Sequence, residues 1–299
     1  MGAADIVPGV SGGTVALVLG IYEDLLTNIR QGARALGRLV KGDPTGFTGE
    51  LKKVDWAFLL PLLGGIGLAV IVLTSVIERL LEEQPVRVAA VFFGLVAGSM
   101  VVAWRLLVRP ANSDFVAMGL VAIASFVLLG LRSGPVSDPA VPLFFGAGAI
   151  AICAMILPGI SGSFLLLMMG MYTGLLDAVH DRDLANLVVF LVGAVVGLAL
   201  FSSVLDKALH TNRNLVLAAL IGLMLGSLRV LWPWPDGVGS PEAGTRLDDG
   251  TVVEGTSGTA LGAPEGDVLV PILLGVGAFV LVLAVTEVGR WLEARGAAA

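Results

Sequence analysis

Long apolar runs alternate with short polar ones along the whole chain. Apolar stretches cover 56–81, 88–108, 114–131, 184–209, 215–232 and 268–291, each long enough to cross the roughly 30 Å hydrocarbon core as a helix. Two further apolar segments are interrupted by a glycine-rich polar break, Pro8-Gly9-Val10-Ser11-Gly12 and Pro158-Gly159-Ile160-Ser161-Gly162. A break of this kind leaves backbone N–H and C=O groups without helical partners, which lipid tolerates only beside a cavity or inside protein. The pattern predicts an all-α integral membrane protein with six spans and two broken segments.

The two breaks belong to a repeat. Residues 4–29 align with 154–179 at a constant offset of 150, with eleven of 26 positions identical, among them Ser11 and Ser161, Gly20 and Gly170, Tyr22 and Tyr172. The match continues at an offset of 128: Gly94 to Ser99 (GLVAGS) recurs as Gly222 to Ser227 (GLMLGS), and Ser75 and Arg79 correspond to Ser203 and Lys207. The small residues of this second motif fit close helix packing in lipid. The chain therefore divides into a first repeat, 1–131, and a second, 141–299, the latter carrying a polar, acidic external loop at 233–267. Each repeat is expected to be a re-entrant broken-helix hairpin plus three spanning helices. The arm before the first break is short, 1–7 against 141–157 before the second, and the symmetry predicts a start upstream of Met1.

Charge orients this scheme. Arg30, Arg34, Arg38, Lys41, Lys52 and Lys53 crowd the loop after the first break, and the positive-inside rule places that loop in the cytoplasm. Threading onward puts twelve of the 18 basic residues inside, with both termini cytoplasmic, and makes the two repeats inverted relative to each other. A composition that is 56% hydrophobic, with a mean hydropathy of +0.93, excludes an ordinary soluble domain. The net charge of −6 matters less than its distribution along the chain, and no nucleic acid is expected as a partner. The single Cys153 forms no intramolecular disulfide and fills space among small residues.

Paired breaks in corresponding halves are the sequence pattern of a transporter's substrate site. Pro8 and Pro158 end the incoming arms. Gly9, Gly12, Gly13, Gly159 and Gly162 let the backbone turn and approach a ligand. Ser11 and Ser161 are placed to cap the outgoing helices, whose free N–H groups favour an anion, above all a phosphate. With Thr14 and Ser163 they predict a polar pocket near the midplane. Intramembrane ionisable residues are candidates in their own right: Asp5 and Glu23 for carrying a coupling proton or sodium ion, and Arg229 for a substrate phosphate or for snorkelling to the outer interface. No metal or cofactor is expected.

With PGVSGGT followed by GIYEDLL, and PGISGSF followed by GMYTGLL, the chain resembles the DUF 368 membrane family, which includes PopT-type polyprenyl-phosphate translocases of bacteria. That resemblance implies a multi-pass protein of the bacterial inner membrane. It also implies return of undecaprenyl phosphate, or a related polyprenyl phosphate, from the outer to the cytoplasmic leaflet for reuse in envelope synthesis. Phe164, where the first motif has Thr14, makes the first repeat the more polar half. Two other classes compete. A secondary transporter for a small ion would use the same architecture. A polyprenyl-pyrophosphate phosphatase would need a His or Arg within its motifs, and both breaks lack them, His180 and His210 lying at the ends of spans.

Overall fold

The structure, a computed structural model, describes residues 1–6, 11–131, 136, 139–235 and 261–296. Among these the chain is helical and contains no strand. The first half holds α1 (Gly2–Ile6), α2 (Gly12–Val18), α3 (Tyr22–Val40), α4 (Pro44–Leu51), α5 (Trp56–Glu83), α6 (Pro85–Trp104) and α7 (Asn112–Leu128). The second half holds α8 (Val141–Ile156), α9 (Gly162–Met168), α10 (Tyr172–His180), α11 (Leu184–Thr211), α12 (Arg213–Ser227) and α13 (Leu269–Gly296).

Four described helices, α5, α6, α11 and α13, are long and apolar enough to cross a membrane, which makes this a multi-pass membrane protein. The expected spans at 114–131 and 215–232 are shorter as helices, 17 residues in α7 and 15 in α12. The chain leaves α7 through turns at Gly130 and Leu131, and α12 through turns at Arg229 and Val230.

Corresponding positions of the two halves solve the same local problems in the same way. α5 and α11 are each 28 residues long and each is capped by an aspartate, Asp55 accepting from the Phe58 amide and Asp183 from the Asn186 amide. Each ends at a residue with similar dihedrals, Gln84 (φ −141°, ψ 48°) and Asn212 (φ −139°, ψ 63°), and the next helix starts at once.

One sequence expectation needs correction. The basic segment after the first break is not a loop but the helical hairpin α3–α4. Leu25, Leu26, Ile29, Ala33 and Leu36 recur at three- and four-residue spacing with Arg30, Arg34 and Arg38 between them, an amphipathic helix that polarity alone disguised. Pro44 occupies the first position of α4 and Asp43 caps it, accepting from the Gly46 amide. That bond and the Thr45 hydroxyl hold the Asp43 carboxyl below its usual pKa, in the charged form that caps best. Buried Asn28 accepts from the Asp55 amide at 2.7 Å and so fixes α3 to the start of α5.

Packing between elements repeats as well. α8 lies along α11, and the short α1 lies along α5, its equivalent pairing. The remaining long helices are exchanged between halves: α6 packs on α13, and α12 packs on α7. Glycines set these approaches. A Cβ on Gly94 would collide with the Gly275 carbonyl, and one on Gly222 with the Met118 carbonyl. On Gly197 it would lie 2.6 Å from the Ala149 carbonyl oxygen. Without a hydrophobic force between helices in lipid, this close backbone contact is what holds them. α5, by contrast, turns Leu68, Ile71 and Val72 outward, as a lipid-facing helix does.

Candidate functional site at the two breaks

Both outgoing helices of the breaks are seven residues long and end alike. Gly20 (φ +73°) and Gly170 (φ +69°) adopt the left-handed conformation, and the Ile21 and Met171 amides reach back to the Ala16 and Leu166 carbonyls. These are Schellman ends, and a residue with a Cβ would be strained at either glycine. Tyr22 and Tyr172 then start the next helix.

At the second break Leu157 is extended (φ −73°, ψ 129°), the conformation imposed by the following Pro158, and Gly159 turns the chain at φ +88°. No Cβ fits at Gly159: it would lie 2.8 Å from Ser227 Oγ and 2.9 Å from Met224 Cα. Pro8 and Gly9 lie outside the described residues.

The structure brings the two breaks together through four contacts. Ser11 caps its own helix, accepting from the Gly13 amide at 3.0 Å, and donates its hydroxyl to the Met155 carbonyl at 3.0 Å. Tyr22, buried, donates to the Ile156 carbonyl at 3.1 Å. Thr14 Oγ1 accepts from the Gly159 amide at 2.9 Å. Gly13 passes so close that a Cβ there would lie 2.6 Å from the Ile156 carbonyl oxygen. The end of α8 and the turn after it thus obtain, from the first break, hydrogen-bond partners that their own helix cannot supply.

The halves differ in chemistry. Asp5 aims its carboxylate at the start of α2 and accepts from the Gly12 amide at 2.6 Å, while its counterpart Met155 packs against Gly162. α2 therefore already has an anion and a serine at its N-terminus. Ser161 makes no side-chain cap; its hydroxyl pairs with that of Ser163 at 2.8 Å, and Ser163 is exposed. The first break contains more polar groups, and the hydroxyls of the second are the ones not committed to backbone.

Two further candidates, Glu23 and Arg229, lie apart from this junction. Glu23 forms an ion pair with Arg213 at the start of α12, at 2.9 Å, both half-exposed. Arg229 donates to the Phe126 carbonyl at 3.3 Å and stacks over the Phe126 ring at the end of α7. Arg105 and Glu287 pair with each other between α6 and α13. A buried ion pair escaped sequence reasoning: Asp206 of α11, 3% exposed, pairs with Arg30 of α3. Its signal was present, since Asp206 corresponds to Glu78 at the same offset of 128.

Residues 1–244 match the family described as undecaprenyl phosphate translocase-like. The chain belongs to that family. It is similar to a polyprenyl-phosphate transporter of Vibrio cholerae, 40% identical over 236 residues that cover 79% of this chain and 76% of the relative. It is also similar to a polyprenyl-phosphate transporter of Staphylococcus aureus, 29% identical over 252 residues covering 78% of this chain and 83% of the relative. No solved structure matches the chain. As a member of the undecaprenyl phosphate translocase-like family, it carries both breaks and the exchanged helices α6 and α12 within the matched residues.

Proposed function

We propose that this protein is a translocase for polyprenyl phosphate, a transporter and not an enzyme, which returns the carrier lipid from the outer to the cytoplasmic leaflet of the bacterial inner membrane. The observation that carries the reading is the junction of two broken helices inside an apolar helical protein whose relatives bear the name polyprenyl-phosphate transporter. In this reading the halves are inverted repeats with both termini cytoplasmic, and each break is a re-entrant hairpin. The phosphate is held at the junction by hydroxyls and backbone amides while the isoprenoid tail stays in lipid. The cross-ties from Ser11, Thr14 and Tyr22 break and reform as the halves rock, giving alternating access.

The direct test is transfer of polyprenyl phosphate between leaflets of proteoliposomes. Ser161→Ala combined with Ser163→Ala is expected to slow transfer at least tenfold, equivalent to about 1.4 kcal/mol, with melting temperature little changed because among the described residues these hydroxyls bond only to each other. Wild type that moves a small anion or cation and no lipid would replace this reading with ion transport.

Coupling follows the same scheme. Asp5 carries the coupling proton or sodium ion, since it is the intramembrane carboxylate that touches the junction. Asp5→Asn is expected to abolish the dependence of transfer on an imposed gradient. Glu23→Gln, which removes only a half-exposed pair with Arg213, is expected to leave it in place. Unchanged gradient dependence in Asp5→Asn would reject the assignment.

A further inference from the structure

Beside the junction lies a cavity of about 230 Å³ bounded by α2, α6 and α13. Its walls are apolar, with Phe92 and Val96 of α6 on one side and Leu281 and Val285 of α13 on another. Only two hydroxyls line it, Ser99 and Thr14. Ser99 spends its proton on the Leu95 carbonyl. Thr14 does not: its oxygen accepts from the Gly159 amide, and its own proton has no acceptor among the described residues, although the side chain is only 3% exposed. A hydroxyl that accepts one bond and donates none keeps its proton for a ligand that enters the cavity.

Resting on the translocase reading, we propose that this cavity is the seat of the phosphate-proximal end of the isoprenoid chain, with the Thr14 hydroxyl donating to an oxygen of the phosphate monoester. The arrangement matches a single-chain amphiphile. The one free donor is shared with the junction of the breaks, and everything beyond it is hydrocarbon. Leu281 and Val285, 58% and 50% exposed, form a mouth through which the rest of the chain passes sideways into the bilayer. A diacyl phospholipid would need room beside that single donor for a glycerol and a second chain.

Phe164 stands where Thr14 does and is buried in a cluster with Leu129 and Val230. In this scheme the hydroxyl that meets the phosphate belongs to the first repeat, since the second has an apolar ring in its place.

A polyprenyl phosphate bearing a photoreactive diazirine on its first isoprene unit tests this in proteoliposomes of the full chain. Photolysis is expected to label peptides of α6 and α13, and Leu281→Trp with Val285→Trp is expected to lower both labelling and transfer at least tenfold. Both side chains face outward, so helical content and melting temperature are expected to hold. Equal competition by an excess of diacyl phospholipid, or labelling confined to the outer face of α5 while wild type transfers lipid, would overturn the tail seat and leave the translocase standing. Labelling of α6 and α13 without any transfer would support the seat and overturn the translocase.

Discussion

Gly94→Leu is expected to prevent accumulation of folded protein. α6 approaches α13 so closely at Gly94 that even a methyl group would meet the Gly275 carbonyl, and the neighbouring Gly98 leaves 3.0 Å between a Cβ and the Phe279 carbonyl oxygen. No rotamer relieves a clash with backbone. The helices must separate along their length, and overpacking of that kind costs about 1–3 kcal/mol or more. Because α6 and α13 come from different halves, their separation also opens the interface that joins the halves. Gly64→Leu on α5 is the control: nothing lies within 4 Å of its Cβ, so size-exclusion profile and melting temperature are expected to match wild type. A monodisperse Gly94→Leu protein with wild-type stability would show that the approach is not structural.

Much of this architecture was readable from residues. The doubled Pro-Gly-x-Ser-Gly announced two breaks, the elbows at Gln84 and Asn212 fall between the apolar runs, and the paired glycines at the 128 offset proved to be contacts between halves. The exchange of partners was not readable. The sequence places Gly94 and Gly222 on close-packed faces, but nothing in one dimension tells that α6 pairs with α13 rather than with α7. α3 was missed because a positive-inside argument reads charge and ignores period. The cross-ties were missed for another reason: the groups they satisfy are the carbonyls of Met155 and Ile156, and backbone acceptors leave no mark in side-chain identity.

The asymmetry of the breaks also changes how the polar residues are weighed. Counting hydroxyls and carboxylates favours the first half, which has Asp5, Ser11 and Thr14. Geometry redistributes them, because Asp5 and Ser11 serve the start of α2 and Ser11 also serves α8. The first half holds the junction together, and the groups with capacity to spare are the Thr14 proton and the Ser161–Ser163 pair.

Arg30→Gln is expected to be the most destabilising change of a charged side chain. Asp206 is 3% exposed within α11, and Arg30 of α3 is its ion-pair partner; among the described residues the other charged or titratable group beside its carboxylate is His210, whose Nδ1 lies 3.7 Å from Oδ1. Removing Arg30 leaves a buried carboxylate uncompensated, which costs about 3–5 kcal/mol. Asp206→Asn is expected to cost less, because the Arg30 side chain is 28% exposed and its long stem lets the guanidinium turn to water. Replacing both, as Arg30→Met with Asp206→Leu, is expected to be near neutral, since a well-packed apolar pair often matches a buried ion pair. Thermal unfolding of the purified protein in one detergent reads all three. The predicted order of destabilisation is Arg30→Gln first, Asp206→Asn second and the double replacement last. A double replacement as damaging as the sum of the single ones would mean that the two residues act separately, and that the tie between α3 of the first half and α11 of the second lies elsewhere.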